Sequence, residues 1–214
     1  MKYKGIIFDL DGTLIDTLED LSSAMNAAMR QLCLPEHSPQ VCRRMIGDGI
    51  QTFALRAVGL DHEFLADRAV ELMRAEYQRN LVVHSRVYEG LSEVIDRLRI
   101  AGVRMGVITN KHQKEAELII RHFFGDRMEV VVGVSETTPV KPDPIGTQRV
   151  LTCLGLHAVE TLYVGDSDVD IETARRAGMP FLGVGWGFRG RKALAKAGAA
   201  DIIDHPGELW TFVA

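Results

Sequence analysis

The sequence predicts an α/β fold, a doubly wound parallel sheet with an inserted all-helical cap subdomain. Three observations predict it. Short apolar runs alternate with helical patterns over residues 85–214, which is typical of βαβ units. Residues 5–8 are apolar without alternation, as in a strand covered on both faces. Residues 17–84 break this order and contain only helical patterns.

The strands and helices of the main sheet follow from these runs in chain order. Glycines at 102, 155 and 178 end three of the helical patterns, because glycine readily adopts the backbone conformation found just past a helix end. The predicted strands are 5–8, 103–108, 130–134, 162–164, 181–184 and a short one at 201–203. The predicted helices are 91–101, 115–124, 143–154, 171–177 and a last one before residue 201.

The helical stretch between the first and second strands predicts a second unit. Its helices are expected at 18–32, 40–46, 51–58 and 63–80. The expected division is a Rossmann-like core, residues 1–16 and 85–214, and a helical cap, residues 17–84.

Composition excludes several classes of function. The formal net charge of −4 and the hydrophobic fraction of 46% give no reason to expect nucleic acid or a membrane as partner. The N-terminus lacks the apolar region of a signal peptide. The cysteines at 33, 42 and 153 have no metal-site spacing and are expected to be buried free thiols. We therefore expect a cytoplasmic protein, and the sequence leaves monomer or homodimer open.

Reactive side chains follow the predicted strands. Asp9, Thr109 and Asp166 come directly after strand runs, and Lys141 lies in the loop after the third strand. Since ligands bind beyond the carboxyl ends of the strands in such sheets, these four residues are expected to converge on one edge.

Their chemistry suits phosphoryl transfer. Asp9 and Asp11 repel each other unless a cation or a proton relieves the repulsion. Asp9 can act as a nucleophile, and Asp11 can donate and accept the proton. Three acids within residues 166–170 provide the oxygen ligands that Mg²⁺ prefers. Lys141 can neutralise phosphate, and Thr109 with the following backbone N–H can hold its oxygens. Asp168 is expected to cap the following helix, with metal binding as the alternative.

These motifs resemble those of the haloacid dehalogenase superfamily, in the same order and over the whole chain. The segments that carry the resemblance are residues 9–14 (DLDGTL), Thr109, residues 141–144 (KPDP) and residues 165–170 (GDSDVD). Phosphoglycolate phosphatases and their relatives, including pyrophosphatase-type members, are the most similar. The resemblance implies a small phosphate ester as substrate, Asp9 as nucleophile and Asp11 as acid and base. It also implies Mg²⁺ held by Asp9, the Asp11 backbone carbonyl and Asp166, with Asp170 either behind these ligands or acting through a water.

Choices within the superfamily rest on the cap. Lysine is absent between Lys4 and Lys111, which disfavours a phosphonatase that needs a cap lysine. Arg43 and Arg44 precede a turn at residues 47–49 and are candidates to grip a substrate carboxylate; they are equally well surface arginines. Asn110 and Gly49 complete the predicted substrate contacts.

Other functions stay open at this point. A pyrophosphatase and a sugar-phosphate phosphatase or mutase share the four motifs. From another class, a phospho-receiver domain or a binding protein without turnover is an alternative. A receiver is disfavoured because no aspartate follows the third strand, at residues 134–136.

Overall fold

A computed structural model describes residues 1–213, and a six-stranded sheet is its main feature. The strands of the chain are β1 (Gly5–Phe8), β2 (Ile15–Asp16), β3 (Arg86–Val87), β4 (Arg104–His112), β5 (Val130–Val134), β6 (Thr161–Gly165), β7 (Phe181–Val184) and β8 (Ile202–Ile203). The sheet order is β5-β4-β1-β6-β7-β8, and each neighbouring pair is parallel. This is the doubly wound order, which confirms the predicted fold class. β2 and β3 form a separate two-stranded sheet.

Ten α-helices accompany these strands within the described residues. They are α1 (Leu18–Gln31), α2 (Pro39–Met45), α3 (Ile50–Val58), α4 (Ala66–Arg79), α5 (Leu91–Ile100), α6 (Gln113–Phe124), α7 (Pro144–Leu154), α8 (Asp168–Ala177), α9 (Gly190–Lys196) and α10 (Gly207–Val213). Short 3₁₀ helices cover Leu60–Leu65 and Ala158–Glu160. Among residues 1–213, no helix is both long and apolar enough to cross a membrane.

The chain divides into two compact units. One consists of Met1–Asp16 and the chain from Val87 onward, and the other of Thr17–Arg86. In the first unit, α6 and α7 pack on β4 and β5, and α8 packs on β6 and β7. In the second unit, α4 packs against α1 and α3.

Local sequence explains why two helices begin beside the sheet edge. The Asp143 carboxylate accepts a hydrogen bond from the Ile145 N–H, and Pro144 occupies the first turn of α7, where its missing N–H costs nothing. The Ser167 side chain caps α8 and exchanges hydrogen bonds with Asp170. The expectation that Asp168 caps this helix is therefore wrong: Asp168 is its first residue.

β4 is longer than predicted and changes its pairing near the site. It runs to His112, and its register against β5 shifts between Ile108 and His112. The side chain of Gln113 replaces the missing ladder: its Nε2 donates to the Val131 carbonyl at 2.9 Å, and the Gly133 N–H donates to its Oε1 at 2.6 Å. An amide side chain offers the same donor and acceptor as a peptide group, so β5 stays attached where β4 bulges.

Two further features differ from the sequence predictions. A second C-terminal helix, α10, packs against α5, with the Arg97 guanidinium 3.8 Å from the centre of the Trp210 ring. Its second half, residues 210–213 (WTFV), consists of aromatic and β-branched residues that favour strands, so this stretch carries no helical signal. Cys33 and Cys153 are exposed and only Cys42 is buried, because the first two lie at or near helix ends rather than on packed faces.

Candidate active site

The carboxyl ends of three adjacent strands bring the predicted residues together. In β1, Phe8 is aligned with Val107 of β4 on one side and with Val164 of β6 on the other. The next residues along each strand therefore reach the same edge, where the strand order reverses. Asp9, Thr109, Lys141, Asp166 and Asp170 are all buried there.

Three carboxylates form a cluster suited to a metal ion. Asp9, Asp166 and Asp170 each offer an oxygen within 4.8 Å of the others. Burial raises the pKa of Asp9 well above its usual range, the Asp170 charge raises it further, and Lys141 offsets part of the rise. Burial and the Asp170 charge raise the pKa of Asp166 to about 7. Crowded hard oxygen donors of this kind fit Mg²⁺.

Lys141 supplies the positive charge next to Asp9. Its Nζ lies 2.7 Å from Asp9 Oδ1 and 2.7 Å from Asp170 Oδ1. Burial alone lowers the pKa of this ammonium, but the Asp170 and Asp9 charges outweigh burial, and the pKa lies well above its usual value. The lysine therefore stays protonated and holds the Asp9 carboxylate in one orientation.

Asp170 is fully engaged by hydrogen bonds. Oδ1 accepts from Lys141 Nζ and from the Tyr163 hydroxyl at 2.9 Å. Oδ2 accepts from the Ser167 N–H at 3.1 Å and from its hydroxyl at 2.6 Å. Burial and the Asp170 charge raise the Tyr163 pKa, so the hydroxyl remains a donor. These bonds favour Asp170 as the residue that orients Lys141, with Asp9 and Asp166 left to contact an ion directly.

Two glycines, Gly12 and Gly187, lie so close to Asp166 that no side chain would fit at either position. The Phe188 N–H donates to Asp166 Oδ2 at 2.6 Å. Gly12 has a φ of +86°, and a Cβ there would lie 2.7 Å from the same oxygen. Gly187 also packs directly on Asp166. The loop after β7 thus contributes a buried backbone donor.

The acid–base candidate Asp11 has a partner that sequence reasoning missed. Lys111 Nζ lies 3.0 Å from Asp11 Oδ2, and only 3% of the Lys111 side chain is exposed. The backbone N–H of Lys111 donates to Thr109 Oγ1 at 3.2 Å. Asn110, predicted as a substrate contact, accepts a hydrogen bond from the Lys141 N–H at 2.6 Å and so ties the two loops together. The position of Lys111 directly after Thr109-Asn110 was the available signal.

The predicted cap residues lie in the helical unit. Arg43 and Arg44 are exposed on α2. Gly49 has a φ of 90° and immediately precedes α3. The turn before it is held within the same unit, because Arg56 donates to the Asp48 carboxylate and to the Met45 carbonyl.

The fold and site define a Rossmann-like α/β enzyme with its reactive groups at the carboxyl edge of the sheet. Residues 6–184 match the family model of haloacid dehalogenase-like hydrolases, and the chain belongs to that family. It is a phosphoric monoester hydrolase, which sets aside the receiver and binding-protein alternatives.

Related proteins carry two different phosphatase names. An N-acetylmuramic acid 6-phosphate phosphatase of Pseudomonas aeruginosa is 34% identical, covering 98% of this chain and 94% of the relative. A phosphoglycolate phosphatase of Rhodospirillum rubrum is 32% identical, covering 94% and 87%. A crystal structure of a phosphoglycolate phosphatase candidate from Lactobacillus delbrueckii subsp. bulgaricus has a TM-score of 0.94 and 27% identity, covering 100% and 99%.

Proposed function

We propose that this protein is a Mg²⁺-dependent phosphatase that hydrolyses a small organic phosphate monoester through a phosphorylated Asp9. Phosphoglycolate is the first-choice substrate. The observation that carries the proposal is the buried Asp9 carboxylate, held by the Lys141 ammonium beside Asp166 and Asp170.

The charges of the site support a divalent ion. Four carboxylates, those of the three-residue cluster and of Asp11, stand against the ammonium groups of Lys111 and Lys141. Buried like charges are costly unless they are compensated. We infer that Asp9, Asp166 and the Asp11 backbone carbonyl would hold the ion, with Asp170 behind them orienting Lys141. When bound, Mg²⁺ would neutralise negative charge on the phosphate.

The side chains then divide the reaction into two halves. In the first, an Asp9 oxygen attacks phosphorus, the bond from phosphorus to the leaving oxygen breaks, and Asp11 gives that oxygen its proton. In the second, Asp11 takes a proton from water, which attacks phosphorus and releases phosphate from Asp9. Lys141 offsets the charge of Asp9 and of the phosphate throughout, and Thr109 is inferred to donate to a phosphate oxygen.

Two substrate classes are supported by the names of relatives. The phosphoglycolate phosphatase of R. rubrum supports a short phosphorylated acid. The N-acetylmuramic acid 6-phosphate phosphatase supports a sugar phosphate as the second candidate. A pyrophosphatase or mutase activity has no such relative among the proteins described above. Arg43, Arg44 and Gly49 remain predicted contacts of the cap to substrate, and a cytoplasmic monomer or homodimer remains the expectation.

A panel of phosphate esters tests the proposal. The kcat/KM values are measured with Mg²⁺ and again with excess chelator. The substrates are phosphoglycolate, N-acetylmuramic acid 6-phosphate, pyrophosphate, glucose 6-phosphate and p-nitrophenyl phosphate. We expect turnover only with Mg²⁺ and phosphoglycolate at the top of the ranking. Full activity in chelator would contradict the metal assignment, and preference for pyrophosphate would contradict the monoester assignment.

A further inference from the structure

The site contains a second buried ammonium group that phosphoryl transfer as described does not use. Lys141 is committed to Asp9 and Asp170. Lys111 lies instead against Asp11, at 3.0 Å, with 3% of its side chain exposed. The two lysines therefore serve different halves of the site: Lys141 the nucleophile, and Lys111 the acid and base.

The position of Lys111 places it beside the leaving group. A group that protonates the leaving oxygen must lie within hydrogen-bond reach of it, about 3 Å. Since Lys111 Nζ is 3.0 Å from the Asp11 carboxylate, it lies within about 6 Å of the leaving oxygen. This distance is spanned by a substituent one or two bonds removed from that oxygen.

We propose that Lys111 recognises a carboxylate on the leaving group, so that the preferred substrates are phosphate esters of small 2-hydroxy acids. The inference rests on the proposed function and names the substrate class of the same site. The Lys111 ammonium can donate three hydrogen bonds, so it can bind a substrate carboxylate while it stays next to Asp11. Phosphoglycolate has its carboxylate carbon two bonds from the ester oxygen.

A matched pair of substrates tests the inference. The two esters differ at one position, where phosphoglycolate carries a carboxylate and 2-hydroxyethyl phosphate carries a neutral CH₂OH group. We expect the wild-type protein with Mg²⁺ to prefer phosphoglycolate by at least about tenfold in kcat/KM, mostly through KM, because a direct charge pair contributes on this order. A ratio near one would overturn the inference alone. Failure to hydrolyse any ester in the panel would overturn the proposed function with it.

Variants assign the preference to a residue. Lys111→Met is expected to bring the ratio of the two kcat/KM values close to one. The variant also removes the partner of Asp11, and any loss of activity from that change lowers both kcat/KM values equally and leaves their ratio unaffected. The exposed Lys114 on α6 is the matched control, and Lys114→Met is expected to leave the ratio unchanged. If both esters fell by the same factor in Lys111→Met, the lysine would only position Asp11 and the inference would be wrong.

Two further variants test the inference if Lys111→Met does not fold. Lys111→Arg keeps the charge and is expected to retain a preference for phosphoglycolate of at least about threefold. The cap arginines are the competing partners for the carboxylate, so the double variant Arg43→Ala, Arg44→Ala is assayed with the same pair. Collapse of the ratio in that variant would assign the carboxylate to the cap and overturn the inference.

Discussion

At the scale of single residues, burial turns an ordinary carboxylate into a group that needs a cation. Asp9 is 7% exposed and Asp166 is 2% exposed, and both lie beside the Asp170 charge. The ammonium of Lys141 compensates the carboxylates of Asp9 and Asp170 at once, at 2.7 Å from each. The same arrangement keeps one oxygen of Asp9 fixed, which is what a nucleophile that attacks in line with a leaving group requires.

Replacing the nucleophile gives the sharpest prediction for a single residue. Asp9→Asn keeps the shape and removes the attacking charge, so we expect kcat for p-nitrophenyl phosphate with Mg²⁺ to fall at least about 1,000-fold. Because the variant also removes a buried charge, its melting temperature should not fall, which serves as the folding control. Calorimetric titration should still detect Mg²⁺ and substrate binding. Residual activity above about a tenth of wild type would contradict the assignment of Asp9.

Residues near strand ends were predictable from sequence, and their supporting contacts were not. Asp9, Thr109 and Asp166 were found because each follows an apolar run directly. Tyr163 lies inside β6 and reads as a core residue, yet its hydroxyl reaches Asp170 at 2.9 Å. The Phe188 N–H is a backbone group with no sequence signature at all. Such contacts depend on which strands become neighbours, and that information is distributed over the whole chain.

At the scale of elements, one buried carboxylate joins the first and last residues of the helical unit by hydrogen bonds. Asp20, in the first turn of α1, is 4% exposed. It accepts hydrogen bonds from the His84 N–H at 2.9 Å, the Ser85 N–H at 2.8 Å and the Ser85 hydroxyl at 2.6 Å. The residues that precede β3 are thereby fixed to α1, within the same unit.

Removing this carboxylate should weaken the helical unit. Asp20→Asn loses the charge and one acceptor oxygen, and we expect unfolding to become easier by about 1–3 kcal/mol, since buried donors lose their partner. The neighbouring Glu19 is a matched control: it is 60% exposed and lies 3.6 Å from His84 Nδ1, so Glu19→Gln should change stability by less than about 0.5 kcal/mol. Chemical denaturation followed by circular dichroism measures both, and equal effects of the two changes would refute the role of Asp20.

At the scale of the whole molecule, the class of the sheet was predictable from sequence, while its local irregularity was not. Alternating apolar runs and helices were enough to predict a doubly wound sheet. The bulge of β4 was not predictable, because it depends on the Gln113 amide standing in for a strand against Val131 and Gly133. The order of the strands places the bulge, the β1 loop and the β6 loop side by side, which brings the buried charged side chains of the site together at one edge.

This concentration of charge predicts how metal and pH act together on stability. Without metal, the folded state raises the pKa of Asp166 to about 7 and that of Asp9 well above its usual range, so between about pH 4 and pH 7 it holds more protons than the unfolded state. Stability then falls as pH rises through this window, because it increases with pH only where the unfolded state binds more protons. Glu172 lies outside the site, and hydrogen bonds from Arg175 and Arg176 lower its pKa to about 2, so in the folded protein it titrates below the window.

Thermal unfolding at pH 5 and pH 7.5, with chelator and with Mg²⁺, measures the effect. We expect the metal-free melting temperature to be lower at pH 7.5 than at pH 5, and Mg²⁺ to raise it more at pH 7.5, where it does not compete with protons. Asp166→Asn should remove most of the Mg²⁺ response and reduce the pH dependence, and it separates this site from the histidines elsewhere. A Mg²⁺ response that is equal at both pH values would mean that the acid cluster does not bind the ion.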